Sequence, residues 1–228
     1  MVILAALGLF SLVALIFGPQ FWINWTMKTH ATERADFPGT GGEMARQLLD
    51  DAGLQSVKIE IVETMRDHYA PDEKTIRLSK ENFDGKSVTA VAVAAHEVGH
   101  AIQDRDGYWA LSLRQKLAKN VIIFEKVGSV ILMTSPLVFA LTRSPVVLLL
   151  ELAAALGILA ISIVIHVFTL PTEYDASFKK ALPLLQQYLP DQEMKGATKV
   201  LRAAAYTYVA GALVSLISVG RWLRILRF

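Results

Sequence analysis

The chain has 228 residues, of which 53% are apolar and only 19% are charged, and this composition is too apolar for a wholly soluble protein. A net charge of +2 leaves no basic excess to bind a nucleic-acid backbone, so we expect no nucleic-acid partner. The absence of cysteine excludes disulfides, thiolate zinc sites, iron–sulfur clusters and a cysteine nucleophile.

The apolar residues are concentrated in four runs that predict membrane-spanning helices in a lipid bilayer. The runs cover residues 2–17, 121–141, 145–170 and 203–220. The first run predicts a retained N-terminal anchor, because no Lys or Arg precedes it and no Ala-x-Ala cleavage site follows it. Lys and Arg near the run ends are more numerous in the two long polar connections, which the positive-inside bias therefore places in the cytoplasm.

The polar segment between the first two runs predicts a small mixed domain. Apolar residues recur there at helical spacing in two stretches and alternate with polar residues in others. The predicted elements are a helix over 41–52 stopped by Gly53, strands over 57–62 and 75–79, and a helix from the N-cap Ser87 to about Asp104, closed by Gly107.

The second of these helices carries an HExxH motif, whose residues are His96, Glu97, Val98, Gly99 and His100. Two imidazoles four residues apart project from one face of a helix and can bind a single Zn²⁺. A Glu beside the first His can take the proton of a water molecule that the ion has acidified. The motif therefore predicts a zinc peptidase with one Zn²⁺ per chain.

A catalytic zinc normally has three protein ligands, and the residues leave the third ligand open. Asp106 lies ten residues after the start of the motif, but the arrangement that uses this spacing has Gly at the intervening turn, where this chain has Gln103. Glu173 and Asp175 follow the third apolar run. Two predicted crossings separate them from the motif, so they emerge on the same membrane face and both remain candidates.

Three stretches of the sequence resemble one known family. They are residues 94–103 around the motif, residues 170–177 and residues 200–210. Over nearly its whole length the chain resembles the YugP-type neutral zinc metallopeptidases, which are bacterial multi-pass membrane proteins. It is more distantly similar to the HtpX and CAAX prenyl protease groups. The resemblance implies a location in the bacterial plasma membrane.

The resemblance also implies residue roles. These are zinc ligation by His96, His100 and Glu173, with Glu97 as the general base. It further implies that Asp175 orients one imidazole. The more distant groups place an Asp four residues after their Glu, whereas this chain has Ser177 at that position.

A tetrahedral oxyanion needs a hydrogen-bond donor in addition to zinc. We expect Tyr208 to supply it, and the other candidates are Tyr206, Arg202, Tyr174 and His68. Two ionisable residues of the third run, Glu151 and His166, are expected to be paired or solvated rather than to bind the metal.

Together these features predict a mainly helical chain with a small β element, in which an α+β zincin-like peptidase domain is merged with a four-helix transmembrane bundle. The predicted segments are an anchor (1–25), a catalytic domain (26–119), a transmembrane hairpin (120–170), a segment carrying the third ligand (171–202) and a fourth transmembrane helix with a basic tail (203–228). The predicted function is a membrane-integrated zinc metalloendopeptidase acting on protein or peptide substrates, with the oligomeric state left open. The alternatives are a non-enzymatic metal-binding scaffold or transporter, and an intramembrane-cleaving protease.

Overall fold

The computed structural model describes residues 2–63 and 67–211. Its helices are α1 (Val2–Thr29), α2 (Gly41–Asp51), α3 (Lys80–Asp84), α4 (Val88–Arg105), α5 (Trp109–Thr142), α6 (Pro145–Tyr174), α7 (Leu182–Leu185) and α8 (Asp191–Ala205). A π-helical segment, π1 (Asp175–Ala181), connects α6 to α7. The strands are β1 (Lys58–Val62), β2 (His68–Ala70) and β3 (Thr75–Ser79). The chain is thus mainly helical with a small sheet, as the sequence predicts.

The three strands form one sheet in the order β1-β3-β2, with β3 in the centre. Strand β1 pairs with β3 in parallel, with Ile59 opposite Ile76, and β2 pairs with β3 in antiparallel. Ile76 and Leu78 of the central strand are fully buried. The sheet therefore contributes its central strand to the hydrophobic core.

Helix α4 lies at the centre of the core. It begins where the Ser87 hydroxyl accepts a hydrogen bond from the backbone N–H of Ala90 at 3.2 Å, as the N-cap prediction requires. All sixteen residues 88–103 are buried, because α2, α8 and π1 pack around the helix. A helix enclosed on every side is built from small and apolar residues, so its few polar side chains need partners inside the protein.

The chain divides into two compact units. The mixed unit comprises residues 21–112 and 170–207, and the helical unit comprises residues 1–20, 113–169 and 208–228. Besides the buried β3 side chains, the largest fully buried apolar residues of the mixed unit are Leu48, Leu49, Val57, Val91, Val98, Leu185 and Leu201. The division into two units does not test the boundaries of the five segments predicted from the sequence, which stay predictions.

The prediction of a four-helix transmembrane bundle is wrong. Within residues 2–63 and 67–211, none of the helices combines the length and the apolar character needed to cross a membrane. The prediction allowed the charged residues of the second and third runs to lie at the membrane interface or in pairs, while the rest of each run crossed the bilayer. In the structure Lys126 lies within α5 and Glu151 within α6, and Ala155 and Ile165 of α6 are buried. Most of the fourth predicted span, residues 212–220, lies outside the described residues.

Candidate metal centre

Helix α4 presents the two histidines of the motif on one face. His96 and His100 are only 5% and 3% exposed. Their ring centroids are 4.7 Å apart, and the ring planes meet at 78°. Because a helix turns once every 3.6 residues, a spacing of four brings both imidazoles to the same side. The local geometry of the pair thus follows directly from the sequence.

Glu173 joins the histidines from a distant part of the chain. It lies at the C-terminal end of α6, and its side chain is 1% exposed. Its Oε2 atom is 3.1 Å from Nε2 of His96 and 3.4 Å from Nε2 of His100. A ligand atom of each of the three residues lies within 4.8 Å of the others. The structure therefore brings together the three residues that were expected to bind zinc.

The proton of the His96 ring can be placed from its neighbours. Nδ1 of His96 is 2.9 Å from the Ser177 hydroxyl oxygen. The Ser177 hydroxyl donates its only proton to the carbonyl oxygen of Leu201 at 3.1 Å. Ser177 must then accept a hydrogen bond from the imidazole, so Nδ1 of His96 carries a proton. In the neutral ring, Nε2 is left with its lone pair facing Glu173.

The same reasoning applies to His100, through a different partner. Nδ1 of His100 is 2.9 Å from the side-chain oxygen of Gln103. The Gln103 amide nitrogen donates to the Thr172 carbonyl oxygen and to Asp175 Oδ2, both at 2.8 Å. Since both of these partners are acceptors, the amide oxygen must face His100, and Nδ1 of His100 must donate. In the neutral ring of His100, as in that of His96, Nε2 then carries a lone pair.

Two imidazole lone pairs and one carboxylate thus converge in a buried space. Three electron-rich atoms at this separation repel one another unless a cation lies between them. Neutral imidazole nitrogen and carboxylate oxygen are the ligands that Zn²⁺ takes in catalytic sites of the His₂Glu type. The donor set of His96, His100 and Glu173 therefore fits a zinc ion.

A close backbone contact connects the two parts of the chain at this centre. A Cβ atom added to Gly99 would lie 2.5 Å from the carbonyl oxygen of Ala176 in π1. No side chain fits at that distance, so glycine is required between the two histidines for π1 to approach α4. The π-helix, an uncommon element that is frequent at functional sites, carries Asp175 and Ser177 into contact with α4.

The other candidate ligands have different partners. Asp106 is the C-cap residue of α4 and lies 2.8 Å from Lys180 Nζ and from the Arg105 guanidinium. Hydrogen bonds from Lys180 and then Arg105 hold the pKa of Asp106 below its usual value. Asp175 accepts a hydrogen bond from the Gln103 amide at 2.8 Å. Burial and the charge of Asp175 raise the pKa of Tyr108, which keeps that phenol protonated.

Glu97 and Tyr208 are the residues that were expected to act on the substrate. Glu97 lies beside His96 on α4 and is 6% exposed. Tyr208 belongs to the helical unit, where its hydroxyl accepts a hydrogen bond from Arg114 and its ring centroid lies 4.7 Å from the Arg114 guanidinium carbon. Their catalytic roles stay predictions.

The remaining residues singled out in the sequence lie in varied positions. Tyr174, Arg202, Tyr206 and His68 are exposed. One carboxylate oxygen of Glu151 is buried and has no hydrogen-bond partner among the described residues. The side chain of His166 lies outside the described residues.

Sequence reasoning missed the parts that Gln103 and Ser177 take in this centre. In the sequence, the two positions stand out only because other groups have Gly and Asp there. Gln103 follows His100 by three residues on a helix, which places the two side chains on neighbouring positions of one face. That spacing was a usable signal for Gln103. Ser177 contacts His96 across 81 positions of sequence, and no local pattern indicates such a contact.

Comparison with known proteins gives a consistent result. A family model described as "Putative neutral zinc metallopeptidase" matches residues 5–227. The chain is 36% identical, over 226 residues, to a Bacillus subtilis (strain 168) protein named "Putative membrane protease YugP", and the match covers 97% of this chain and 93% of that protein. No solved structure matches. With the family model spanning almost the entire chain, the protein belongs to the neutral zinc metallopeptidase family.

Proposed function

We propose that the protein is a zinc metallopeptidase that binds one Zn²⁺ per chain and hydrolyses peptide bonds in protein or peptide substrates. The observation that supports it most is the convergence of two imidazole lone pairs and the Glu173 carboxylate in a buried space. Family membership supports the same chemistry. A scaffold or transporter would also bind the metal but would not cleave peptides.

His96, His100 and Glu173 would hold the zinc. When bound, Zn²⁺ supplies a Lewis acid that acidifies water and polarises a carbonyl group. The contacts of Ser177 and Gln103 hold the proton of each neutral ring at Nδ1, which leaves Nε2 available to the metal. Burial of the three residues excludes bulk water, so charges within the site act over a lower local dielectric.

Glu97 is the proposed general base. Its support is the HExxH motif, in which Glu97 directly follows the ligand His96, and its burial within α4. In this role a Glu97 carboxylate oxygen takes a proton from the attacking water and passes it to the amine that leaves. Glutamine at this position keeps the size and polarity of the side chain but cannot take up that proton.

The test is Glu97→Gln in the full-length protein loaded with Zn²⁺. We expect the zinc content to stay at one ion per chain while peptide cleavage falls by about 100-fold or more, the usual contribution of a general base. Glu60→Gln removes a carboxylate from exposed strand β1 and serves as the matched control. Unchanged cleavage by the zinc-loaded Glu97→Gln protein would disprove the assignment of the base. Stoichiometric zinc without cleavage of any peptide by the wild type would favour the scaffold or transporter.

We also propose that the protein is attached to a membrane. The support is the printed name of the Bacillus relative, a membrane protease, and a set of exposed aromatic side chains of the mixed unit that lie close in sequence to its boundaries. They are Phe21, Trp25, Trp109, Tyr174 and Tyr206. Aromatic rings of this kind are enriched at membrane–water interfaces. Recovery of the full-length protein in the supernatant after lysis and ultracentrifugation, without detergent, would contradict this proposal.

A further inference from the structure

We propose that Gln103 is a positioning residue of the metal centre, which couples the segment carrying Glu173 to the ring of His100. The inference rests on the proposed zinc function and adds a role for a residue that binds neither the metal nor the substrate. In this role the Gln103 amide holds His100 in the form that has Nδ1 protonated and Nε2 open to the metal.

The hydrogen bonds of Gln103 allow only one orientation of the amide. Its side chain is fully buried. Both N–H groups of the amide have acceptors, the Thr172 carbonyl oxygen and Asp175 Oδ2, each at 2.8 Å. The amide oxygen faces Nδ1 of His100 at 2.9 Å. A flipped amide would set its oxygen against two acceptors, so the ring of His100 is always offered an acceptor at Nδ1.

The two acceptors flank the third ligand in sequence. Thr172 precedes Glu173, and Asp175 follows it by two residues. One amide on α4 therefore donates hydrogen bonds to residues on both sides of Glu173. A shift of that turn would change the hydrogen bonds of Gln103, and with them the support of His100. Partners of this kind fix the tautomer and the ring orientation of a metal-binding histidine.

A simpler role for Gln103 would be to fill buried space with a satisfied polar group. That role predicts a loss of folding stability when the residue is changed, with zinc affinity falling only in proportion. The positioning role predicts a loss of zinc affinity beyond the loss of stability. The two roles can therefore be separated by measuring zinc affinity and the thermal stability of the metal-free protein on the same variants.

The experiment measures Zn²⁺ affinity of the full-length chain by competition with a chromophoric chelator. Gln103→Leu removes the amide, and Gln103→Glu keeps its shape but places a carboxylate against Asp175. Gln103→Leu is expected to weaken zinc binding by about 10- to 100-fold, the effect typical of partners that orient a metal-binding histidine. Gln103→Glu still accepts from His100 but loses both donor contacts to the segment that carries Glu173, and displacement of that segment is expected to weaken zinc binding by about 10-fold or more. Tyr69→Phe is the matched control, because it removes a partly buried hydrogen bond to Asp104 of α4 outside the metal centre.

A second change tests the coupling itself. In Gln103→Glu/Asp175→Asn the carboxylate introduced at position 103 can still accept from His100, and the amide introduced at position 175 can donate to it. We expect this pair to bind zinc about 10-fold more tightly than Gln103→Glu alone. The Thr172 carbonyl oxygen still faces a carboxylate in the pair, because the amide that donated to it is absent. Because the pair conserves size, it keeps the test available even where Gln103→Leu fails to fold.

The proposal is overturned if Gln103→Glu binds zinc as tightly as the wild type. It is also overturned if the paired change recovers nothing, or if Tyr69→Phe weakens zinc binding equally at the same loss of stability. A wild-type protein that binds no Zn²⁺ would instead overturn the proposed function, so the two failures are distinguishable.

Discussion

The two halves of the candidate metal centre come from elements of different kinds. The α4 half, which carries His96 and His100, is a regular helix enclosed by protein on all sides. The π1 half, which carries Glu173, Asp175 and Ser177, is the end of α6 followed by a π-helix. The first half is specified by spacing within one helix. The second half depends on how closely two distant segments pack.

This difference shows which contacts assemble the centre. Each histidine on α4 receives its Nδ1 partner from a different source, His100 from Gln103 of the same helix and His96 from Ser177 of π1. Gly99 permits the backbone approach that the contact between His96 and Ser177 requires. The α4 half can thus form as a helix, whereas the complete donor set needs the π1 half in register.

Removing the ligand of the π1 half should have the largest effect. Glu173→Ala leaves both histidines in place but takes away the carboxylate. We expect zinc affinity to fall by more than about 100-fold, because loss of a residue that only hydrogen-bonds to a metal ligand already lowers metal affinity by up to about 100-fold. Competition with a chelator measures the loss.

Asp106→Asn is the matched control for Glu173→Ala, because Asp106 was the alternative acidic ligand and pairs with Lys180 and Arg105 instead. Its zinc affinity should equal that of the wild type. An equal loss in the two variants would show that the ligand set is wrong.

Changing the contact between the halves should have a smaller effect. In Gly99→Ala the added methyl group meets the Ala176 carbonyl oxygen at 2.5 Å, and the backbone must move. Overpacking of this kind costs about 1–3 kcal/mol of folding free energy, and the displaced π1 should also weaken zinc binding. Thermal unfolding with and without Zn²⁺ measures both effects.

Gly157→Ala in α6 is the matched substitution, because none of the described residues beyond its own stretch of helix lies within 4 Å of the added Cβ atom. Alanine is the better helix former, so this variant should be unchanged or slightly stabilised. Equal destabilisation at positions 99 and 157 would contradict the role of the Gly99 contact.

The smallest effect is expected at the surface ion pair between the end of α4 and π1. Lys180 and Arg105 lower the pKa of Asp106 from its ordinary value of 3.8. A lowered pKa in the folded protein means that the stabilisation is present above pH 3.8 and is lost as the pH falls through the lowered value. Because the Asp106 side chain is 37% exposed, solvent and salt screen it, and Asp106→Asn should cost less than about 1 kcal/mol.

The melting temperatures of the wild type and Asp106→Asn, compared between pH 7 and pH 3, test this assignment. Their difference should shrink as the pH falls and as salt is added. A difference that grows toward low pH would have the wrong sign for a carboxylate with a lowered pKa.

The sequence predicts the α4 half far better than the π1 half. The N-cap Ser87, the stop at Gly53 with its φ of +71° and the strand Thr75–Ser79 all follow from local preferences and match the structure. The His pair follows from helical spacing. Strand β2 has only three residues and α3 only five, too few for a periodic pattern to show.

The π1 half has no comparable local signal. A π-helix and an α-helix share similar residue preferences, so the register that turns Ser177 toward His96 arises from packing against α4. Glu173 could be singled out only with help from the family resemblance, because 77 positions separate it from His96. The membrane spans were overpredicted for a related reason, since an apolar run does not reveal which of its side chains, such as Ala155, are buried in protein.

We propose that the α4 half and the π1 half bind one zinc ion between them. A crystal of the full-length protein grown with Zn²⁺, with anomalous data collected on both sides of the zinc edge, tests it most directly. We expect one strong peak per chain, bonded to Nε2 of His96, Nε2 of His100 and a carboxylate oxygen of Glu173. A peak bonded through either Nδ1 atom, or one that lacks Glu173, would contradict it.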